Sequence, residues 1–448
     1  MNGIDVTRAL SATAAGKEVP DRPALRIGGF EFTWAQIAER VRARMATLAR
    51  PPVGRPLPFV AETTTEGLTT LFAALALKVP LLLLSPKLTD AERRTTIAAA
   101  DAVAEPLPDD AAVVIFTSGT TGRPKPVVLT RRNLVESALR VAEALQMTPD
   151  DVFLLSLSPA RVGGLGIVIR TLVMRSTLAV SGRFQAETFM AELERNKVTL
   201  ASVVPTMLSE ILDKTPALRV PPRLRALLVG GAAAGFALRR RAAEAGIPVL
   251  TTYGMTEAGS TVAVTPYEER FVPQREAGRL LPGIEAKCVN GMLALRGPIL
   301  AEHYWGVGPS MCSGWYLTGD MGELTSDARV SIGARRADLI ITGGENVVPR
   351  EVEDVLESMP GIRSALVLGQ PDETWGALVT ALLVPEDPSR HPDAEAVVGY
   401  LKTRLARWKS PRRIAWVTSL PTTAAGKVCR QPSVLKGLRL DVLHYKSA

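Results

Sequence analysis

The chain has 448 residues, of which 46% are hydrophobic and 22% are charged, and its net charge is +8. This composition predicts globular domains with buried cores, and we expect a cytoplasmic protein because no apolar run reaches about 18 residues and no signal-peptide pattern opens the chain. The three cysteines are scattered and the arginines are dispersed without interleaved aromatic residues, which argues against a zinc site, a disulfide framework and a nucleic-acid partner.

The first 110 residues alternate strand-like and helix-like signals. Residues 24–27 before Gly28 and Gly29 predict a hairpin, and Thr33 and Thr89 stand at the N-caps of two predicted helices. A helix rich in alanine and leucine is predicted over 66–77, and an apolar strand follows over 79–84. This alternation indicates an α/β fold.

A loop of small and hydroxylated residues follows the next apolar strand, which is predicted over 111–115. The loop runs from Phe116 to Lys125 with the sequence FTSGTTGRPK. Glycines let the backbone approach an anion, hydroxyl and amide groups supply donors, and the lysine adds a positive charge. The pattern predicts a phosphate cradle whose spacing differs from that of P-loop NTPases, and a solvated linker is the alternative interpretation.

Alternating strands and helices continue to about residue 265. Strands are predicted over 127–129, 152–157, 199–204, 226–228 and 249–250, and Thr130 is predicted to cap the helix after the first of them. Strands separated by helices favour a mainly parallel sheet, in which ligands bind at the loops beyond the carboxyl ends of the strands. The stretches 230–233 and 253–257 follow two of these strands, so we expect them at such a site.

The pattern changes in the rest of the chain. Beyond Pro266, short β-type segments predominate. From about residue 335 a small α+β pattern follows, with helices predicted over 351–356 and 394–406 and strands over 365–368 and 378–383. We predict an N-terminal domain of residues 1–334, with mainly parallel sheets flanked by helices plus a β-rich part, and a small mobile α+β domain of residues 335–448.

Five ordered stretches make the chain resemble the adenylate-forming superfamily of acyl-CoA synthetases, nonribosomal peptide synthetase adenylation domains and luciferases. They are Thr117–Lys125, Tyr253–Glu257, Tyr316–Asp320, Arg335–Glu353 and Pro421–Lys427. The resemblance covers nearly the whole chain and makes the linker interpretation negligible. It implies that a carboxylic acid attacks the α-phosphate of ATP, with magnesium as the metal, and that an acyl adenylate is the intermediate.

The resemblance also implies a role for each residue of the site. Thr256 would contact the α-phosphate, Glu257 would coordinate magnesium, and both are expected in the catalytic set. The cradle that holds the β- and γ-phosphates would consist of Thr117, Ser118, Gly119, Thr120, Thr121, Gly122 and Lys125. The remaining nucleotide contacts would be Tyr253 stacked on adenine, Gly230, Gly231 and Ala232 beside it, Gly254, and Asp320 and Arg335 at the ribose hydroxyls.

The C-terminal lysine of the last stretch is the main catalytic candidate. Taken alone, Lys427 would be a surface cation, but the resemblance implies that it reaches the carboxylate and stabilises the transition state by its charge. In acyl-CoA synthetases the small domain then rotates, and Gly343, Gly344 and Glu345 would replace Lys427 and help to form the tunnel for coenzyme A. Ala337 departs from the acidic or lysyl residue usual at the hinge, which leaves open which bond turns.

Within the superfamily, three runs resemble the o-succinylbenzoate–CoA ligases of menaquinone biosynthesis: Val162–Leu165, Val203–Leu208 and Ile340–Val347. This resemblance implies an aryl acid such as o-succinylbenzoate. The acid pocket is expected at Ala160, Arg161, Gly163, Gly164, Thr206 and Met255. The segment before Val162 lacks the aromatic residue and the histidine that are usual there, and Arg161 would either pair with a second carboxylate or be an ordinary exposed arginine.

The sequence is also compatible with two alternatives to a coenzyme A ligase. The first is a secondary-metabolism enzyme that adenylates an aryl or acyl acid and loads a carrier protein in trans. The second is an inactive nucleotide-binding relative, which the presence of Lys427, Glu257, Asp320 and Arg335 disfavours. The expected partners are therefore the acid, ATP and coenzyme A, and the sequence carries no signal for the oligomeric state.

Overall fold

The structure is a computed structural model of the chain. It describes residues 5–117, 125–215, 218–273, 276–335, 339–342, 345–422 and 428–445, with the backbone alone at 333–335 and 346. Some of the predicted site residues lie outside the described residues, namely Ser118, Gly119, Thr120, Thr121, Gly122, Gly343, Gly344 and Lys427, as does Ala337 at the predicted hinge.

The described chain is rich in both strands and helices. The strands are β1 Pro23–Ile27, β2 Phe30–Thr33, β3 Leu57–Val60, β4 Leu81–Leu84, β5 Ala111–Thr117, β6 Lys125–Thr130, β7 Val152–Leu155, β8 Thr177–Val180, β9 Leu200–Val203, β10 Ala226–Val229, β11 Val249–Met255, β12 Ser260–Val264, β13 Gly278–Leu280, β14 Glu285–Val289, β15 Met292–Arg296, β16 His303–Tyr304, β17 Gly308–Pro309, β18 Met311–Cys312, β19 Trp315–Leu324, β20 Arg329–Arg335, β21 Ile340–Thr342, β22 Glu345–Val347, β23 Ile362–Asp372, β24 Gly376–Pro385, β25 Arg413–Trp416 and β26 Asp441–Val442. The α-helices are α1 Val6–Ala9, α2 Ala12–Glu18, α3 Trp34–Thr47, α4 Thr65–Leu77, α5 Asp90–Asp101, α6 Arg131–Ala144, α7 Val162–Met174, α8 Ala186–Arg195, α9 Pro205–Lys214, α10 Phe236–Glu244, α11 Pro349–Glu357 and α12 Ala394–Lys402. No helix among the described residues is long and apolar enough to cross a membrane.

The largest sheet has a parallel half and an antiparallel half. Its strand order is β14-β15-β19-β20-β13-β12-β11-β10-β9-β7-β8-β1-β2, with β18 beside β19. The neighbours from β11 through β10, β9, β7 and β8 to β1 run parallel, whereas β12, β13, β20 and β19 continue from β11 in antiparallel pairs. The parallel half confirms the predicted α/β fold, and the antiparallel half is the predicted β-rich part.

A second sheet carries the phosphate-cradle hairpin. Its order is β17-β16-β6-β5-β4-β3, in which β3, β4 and β5 run parallel and β6 returns antiparallel beside β5. One hydrophobic core contains side chains from both sheets and from α3, α4, α6 and α7. This shared core fixes the hairpin relative to the parallel half of the large sheet.

The C-terminal part has its own sheet and its own core. The sheet β23-β24-β25-β26, the hairpin β21–β22 and the helices α11 and α12 form what we call the small lobe, described residues 339–445; residues 5–335 are the large lobe. A hydrophobic cluster that extends from Ile340 to Tyr445 contains residues of the small lobe alone. The predicted domain boundary after residue 334 stays a prediction, because residues 336–338 lie outside the described part of the chain.

Three helices begin at the predicted threonine caps. Thr33, Thr89 and Thr130 each accept a hydrogen bond from the backbone N–H three residues on, and the side chain of that residue accepts one from the backbone N–H of the threonine. These reciprocal capping boxes satisfy backbone donors that a helix start leaves without partners. The helix starts could be predicted because both halves of each box lie within four residues of sequence.

One predicted helix is shorter than expected. The prediction over 394–406 ends in the structure at Lys402, where α12 stops. The hydroxyl of Thr403 donates to the carbonyl of Tyr400, and the guanidinium of Arg404 donates to the same oxygen. Side chains that bond nearby carbonyls compete with the helical ladder, which accounts for the early end.

The two lobes touch where α10 meets α11. Gly235 is the N-cap of α10, and a Cβ at this position would overlap the carboxylate of Glu357 and lie 2.8 Å from Nη2 of Arg350. Nearby, Asp213 of the large lobe lies 3.5 Å from Arg363 of the small lobe. At these two places, the contact between the lobes is made by the backbone of Gly235 and by charged side chains.

A buried aspartate just before β7 accepts hydrogen bonds from three residues. Asp151 is 4% exposed and accepts hydrogen bonds from the backbone N–H of Thr148 at 2.7 Å, the hydroxyl of Thr199 at 2.6 Å and two nitrogens of Arg225 at 2.7 and 2.6 Å. Burial by itself would raise the pKa of this carboxyl, but the hydrogen bonds outweigh it and the pKa lies below its ordinary value. The ionised carboxylate is therefore the stable form in the fold.

Replacing this aspartate by asparagine is expected to destabilise the fold in a pH-dependent way. Asp151→Asn should lower the free energy of unfolding by about 1–3 kcal/mol at neutral pH, because buried donors lose a charged acceptor. The pKa is lower in the folded chain, so this contribution is fully present above the unfolded pKa of about 3.9 and is lost as the pH falls through the folded value. Thermal unfolding from neutral to acidic pH measures it.

The neighbouring residue provides the control. Asp150 has a side chain that is 90% exposed and lies 3.1 Å from Arg22, so Asp150→Asn should change stability little at any pH. A difference in Tm between Asp151→Asn and the unmodified protein that is as large in acid as at neutral pH would contradict the assignment.

Candidate active site

The base of the phosphate cradle is a closed pair of strands. Thr117 ends β5 and Lys125 begins β6, and the two are register partners in an antiparallel pair. The hydroxyl of Thr117 also donates to the carbonyl of Lys125 at 3.3 Å. The cradle residues between them, 118–124, lie outside the described chain, so their predicted phosphate contacts stay a prediction.

The predicted catalytic pair occupies a tight turn between two strands of the large sheet. Thr256 and Glu257 begin the 3-10 turn that connects β11 to β12, and both are half-buried. Gly254, just before the turn, packs so closely on the carbonyl of Ser260 that any Cβ would overlap that oxygen. The glycine therefore allows β11 to bring Thr256 and Glu257 to the edge of the sheet.

Two tyrosines connect this turn to the cradle hairpin. The hydroxyl of Tyr304 donates to Oε1 of Glu257 at 3.0 Å and lies 3.1 Å from the hydroxyl of Tyr316. The ammonium group of Lys125 lies 5.1 Å from the centroid of the Tyr304 ring. The sequence did not single out Tyr304, which belongs to none of the five stretches, and Tyr316 lies in one of them without a predicted role.

Both hydroxyls are protonated at neutral pH. Burial raises the pKa of Tyr304 to about 12, although the hydrogen bond with Tyr316 acts in the opposite direction. Burial also raises the pKa of Tyr316. Each hydroxyl therefore has one proton to donate, and Glu257 is the acceptor of one of them.

The predicted adenine and ribose contacts are joined by a hydrogen bond. Tyr253 in β11 donates from its hydroxyl to Oδ2 of Asp320 in β19 at 2.7 Å, and both residues are buried. Asp320 is also the register partner of Arg335 across β19 and β20. The three residues were predicted from three separate stretches, and the fold brings their backbones to one region of the sheet.

The glycine pair after β10 lies beside this region. A Cβ at Gly230 would overlap the hydroxyl of Thr252 in β11, and Gly231 has a φ of +79°, which favours glycine. Ala232 follows and is half-buried. The close packing of Gly230 on β11 keeps the loop flat against the strand that carries Tyr253, as expected for the wall of a slot.

The predicted acid-pocket residues follow strands that are neighbours in the parallel half of the sheet. Their positions are Ala160, Arg161, Gly163 and Gly164 between β7 and the first turn of α7, Thr206 in the first turn of α9 after β9, and Met255 at the end of β11. Carboxyl ends of parallel strands meet at one edge of a sheet, so these residues lie on the same edge as Thr256. Ala160 is buried, whereas Arg161 is exposed at the N-cap of α7.

A second arginine of the same helix is fully buried. Arg170 is 2% exposed, and its guanidinium lies 5.3 Å from the ring centroid of Phe153. Its Nε and Nη1 atoms have no hydrogen-bond partner among the described residues. Burial lowers the pKa of Arg170 to about 10, so the group still carries its charge at neutral pH.

The side chain of Arg170 extends toward the N-terminal end of α7, where part of the predicted acid pocket lies. Helical side chains point toward the N-terminus of their helix, and Nη1 lies 3.1 Å from the Cβ position that Gly166, one turn earlier, would have. Ser260, next to the catalytic turn, approaches the same position at 3.3 Å. Arg170 was not among the predicted site residues; its only sequence signal is that it is the one charged residue within α7.

In the small lobe, contacts hold the last predicted stretch on both sides of residues 423–427, which lie outside the described chain. Thr422 and Val428 form an antiparallel bridge, and Arg430 forms an ion pair with Glu353 of α11, which is 1% exposed. Burial opposes the charge of Glu353, but its arginine partners hold the pKa below the ordinary value. Glu345 of the predicted coenzyme A tunnel is exposed in β22, and its role in the tunnel stays a prediction.

The residues present fit a magnesium ion that arrives with a nucleotide. No cluster of three or more histidine, cysteine, aspartate or glutamate side chains that could hold a metal occurs among the described residues. Magnesium is usually bound by one or two carboxylates together with substrate phosphates and water. The single carboxylate of Glu257, half-buried beside the cradle hairpin, is suited to that mode of binding.

Comparisons with known proteins agree with this geometry. The model of the AMP-binding enzyme family matches residues 98–305, and that of the AMP-binding enzyme C-terminal domain matches residues 351–427. The chain therefore belongs to the AMP-binding, adenylate-forming enzymes. It is 36% identical over 336 residues to the 2-succinylbenzoate–CoA ligase of Bacillus licheniformis, a match that spans 72% of this chain and 69% of that protein.

Solved structures of the same kind of ligase share the fold. The o-succinylbenzoate CoA synthetase (MenE) of Bacillus subtilis in complex with the acyl-adenylate intermediate OSB-AMP has a TM-score of 0.81 and 29% identity, covering 96% of this chain and 98% of that one. The same protein with ATP and magnesium ion has a TM-score of 0.81 and 28% identity, covering 94% and 98%. The predicted likeness to o-succinylbenzoate–CoA ligases is thus confirmed.

Proposed function

We propose that the chain is an ATP-dependent carboxylic acid–CoA ligase that activates an aryl dicarboxylic acid such as 2-succinylbenzoate. The observation that carries the choice of acid is the buried guanidinium of Arg170, whose Nε and Nη1 have no partner among the described residues. Two further facts support the proposal: the likeness to the Bacillus licheniformis ligase and the likeness to the MenE complex with its acyl adenylate. The product of the overall reaction is an acyl-CoA thioester, with AMP and pyrophosphate released.

The first half-reaction joins two anions. A carboxylate oxygen of the acid attacks the α-phosphorus of ATP, the bond to the bridging oxygen of pyrophosphate breaks, and an acyl adenylate forms. The protein supplies orientation and positive charge rather than a covalent nucleophile. Thr256 holds the α-phosphate, the cradle that begins at Thr117 and ends at Lys125 holds the other phosphates, and Lys427 carries charge to the transition state.

The nucleoside is held by the residues that the sheet brings together. Tyr253 and Asp320 are joined at 2.7 Å, so a nucleoside that meets one also meets the other. Gly230 and Gly231 line the adenine slot, and Arg335 is the register partner of Asp320 at the ribose. Glu257 would hold magnesium, which would neutralise phosphate charge.

The second half-reaction transfers the acyl group. The thiol of coenzyme A attacks the carbonyl carbon of the acyl adenylate, the bond to the phosphate oxygen breaks, and AMP leaves. The loop of Gly343, Gly344 and Glu345 then takes the place of Lys427 beside the adenylate and forms part of the coenzyme A tunnel. This exchange requires a rotation of the small lobe, which meets the large lobe where Gly235 packs on Glu357 and Arg350 and where Asp213 lies 3.5 Å from Arg363.

The second carboxylate of the acid binds Arg170. A buried arginine without a counter-charge is costly, and a carboxylate is the group whose geometry matches the guanidinium fork. The side chain reaches back along α7 to Gly166, where Ser260 also approaches, so we place the second carboxylate between α7 and the strand that follows the turn at Thr256. Arg161 is exposed at the N-cap of the same helix.

A panel of acids tests the function. The purified chain is incubated with ATP, magnesium chloride, coenzyme A and either 2-succinylbenzoate, an aryl monocarboxylate or a fatty acid, and both AMP and the thioester are measured, the latter by mass spectrometry. We expect 2-succinylbenzoate to give both products at the highest rate. Labelled pyrophosphate exchange without coenzyme A isolates the first half-reaction.

The same experiment separates the alternatives. Exchange without any thioester from coenzyme A, but with acylation of an added phosphopantetheinyl carrier protein, would favour the carrier-loading enzyme. If no acid in the panel supports exchange, the chain is not a ligase and the inactive nucleotide-binding relative is the better description. We also propose a cytoplasmic location, because ATP and coenzyme A are available there, and cell fractionation tests it.

A further inference from the structure

Tyr304 contacts two groups of opposite charge that are both expected to meet the nucleotide. Its hydroxyl donates to the carboxylate of Glu257 at 3.0 Å, and its ring lies 5.1 Å from the ammonium of Lys125. We propose that Tyr304 is a positioning residue that holds Glu257 and Lys125 in place for the magnesium–ATP complex. This inference rests on the proposed function, because it assigns Tyr304 to the same nucleotide site.

The backbone around Tyr304 is fixed to both of these groups. Tyr304 in β16 is the register partner of Val127 in β6, the strand that begins with Lys125. Three residues earlier, the backbone N–H of Ala301 donates to the carbonyl of Glu257 at 2.6 Å. Since main-chain hydrogen bonds hold it on both sides, the Tyr304 ring has a fixed place between the cradle hairpin and the catalytic turn.

The hydroxyl protons determine which tyrosine donates in each of the two hydrogen bonds. Tyr304 has one proton, and it is donated to Glu257, so the contact of 3.1 Å with Tyr316 requires that Tyr316 donates to the oxygen of Tyr304. Tyr316 is buried at 6% exposure and therefore supports this orientation from inside the fold. Hydrogen bonds in such a chain polarise one another, which strengthens the bond that reaches the carboxylate.

The tyrosine also keeps two opposite charges apart. Neither Lys125 nor Glu257 takes part in a salt bridge within the described residues. A direct ion pair between them would have to break before phosphate and metal could bind. A neutral tyrosine instead offers its ring face to the ammonium and its hydroxyl to the carboxylate, so both charges remain for the ligand.

Binding of ATP with and without metal tests the inference. Calorimetric titrations compare the unmodified chain with Tyr304→Phe, which keeps the ring, and Tyr304→Leu, which removes it, using ATP with magnesium chloride or ATP with a chelator. Tyr304→Phe should raise the Kd of the magnesium complex about tenfold, the loss of a hydrogen bond to a charged group, and leave that of metal-free ATP within about twofold. Tyr304→Leu should weaken both, since Lys125 also loses the ring.

A tyrosine outside the site serves as the control. Tyr400 donates from its hydroxyl to the carbonyl of Ser358 at 2.8 Å in the small lobe, so Tyr400→Phe should bind both forms of ATP as the unmodified chain does. In pyrophosphate exchange, Tyr304→Phe should raise the KM for the magnesium complex and change kcat little.

Three results would overturn the inference, each in a distinguishable way. Equal Kd values for the magnesium complex in Tyr304→Phe and the unmodified chain would show that the Tyr304 hydroxyl does not contribute to binding. Equal weakening of both forms of ATP in Tyr304→Phe, together with a lower Tm, would show a merely structural role. If the unmodified chain itself binds no magnesium–ATP, the proposed function fails, and the inference fails with it.

Discussion

Replacing Lys427 by alanine is expected to lower the rate of pyrophosphate exchange about a hundred- to a thousandfold, while thioester formation from pre-made acyl adenylate and coenzyme A stays close to that of the unmodified chain. The first half-reaction brings a carboxylate and a phosphate together, and charge develops on the oxygens around the α-phosphorus. A cation aimed at that charge has a large effect in this half-reaction. In the proposed mechanism, the thiol attack of the second half-reaction uses a different arrangement of the small lobe, in which Lys427 has left the adenylate.

The segment that carries Lys427 is held by contacts of the residues before and after it. Lys427 lies outside the described residues, whereas the bridge between Thr422 and Val428 and the ion pair of Arg430 with Glu353 hold the chain on either side of it. These contacts pair the two ends of the segment with each other and hold its C-terminal side on α11.

Rates of the two half-reactions, measured separately, decide the matter. Lys402→Ala changes an exposed lysine of α12 in the same lobe and should leave both rates unchanged. An equal fall of both half-reactions in Lys427→Ala would mean that the lysine supports folding or ligand binding in general, and the two-conformation mechanism would lose its main support.

Replacing Arg170 by methionine is expected to lower kcat/KM for 2-succinylbenzoate about a thousandfold or more. A site built to hydrogen-bond a polar group discriminates strongly against losing either partner. Two monocarboxylate analogues, each lacking one of the carboxylates, identify the partner: the analogue without the carboxylate that binds Arg170 should be a poor substrate of the unmodified chain and should be affected little by Arg170→Met.

Stability provides a second readout for the same variant. Arg170 is 2% exposed and Nε and Nη1 lack partners within the described chain, so its charge costs folding free energy. Methionine fills a similar volume without charge, and we expect Tm to rise or stay constant although activity falls. An unchanged or higher Tm together with a loss of activity would indicate that Arg170 serves ligand binding rather than stability.

Two other arginines complete the experiment. Arg132 is exposed on α6, and Arg132→Met should leave both activity and Tm unchanged. Arg161→Met tests the arginine that the sequence alone suggested. Loss of activity toward the dicarboxylate in Arg161→Met, with Arg170→Met fully active, would move the carboxylate site to the exposed mouth of the pocket.

Much of the fold could be predicted because its signals are local. The capping box at Thr130, for example, needs only Asn133 as its partner, and the apolar run before the cradle identified β5. The five stretches identified the family for a similar reason, since each is a short sequence with its own chemistry. Contacts within a few residues are visible in sequence order, and the parallel half of the sheet follows from the alternation of such elements.

The missed residues depend on contacts between distant parts of the chain. Tyr304 is 47 positions from Glu257, and its role becomes visible when β16 pairs with β6. Arg170 is the one charged residue of the apolar helix α7, and its burial without hydrogen-bond partners for Nε and Nη1 among the described residues distinguishes it from a surface arginine. No periodicity predicts which charged side chain the fold leaves without a partner.

The glycine at the contact between the lobes has a consequence for how they separate. Gly235 presents backbone to the small lobe, and the carboxylate and guanidinium it meets, on Glu357 and Arg350, are already paired with each other at 2.7 Å within α11. Parting the lobes here would open no cavity the size of a side chain and would break no pair inside the small lobe. The ion pair of Asp213 with Arg363 is partly exposed, so water takes over its charges as the lobes part. If the lobes part as proposed, water hydrates the polar atoms of this contact, and the separate hydrophobic core of each lobe stays buried.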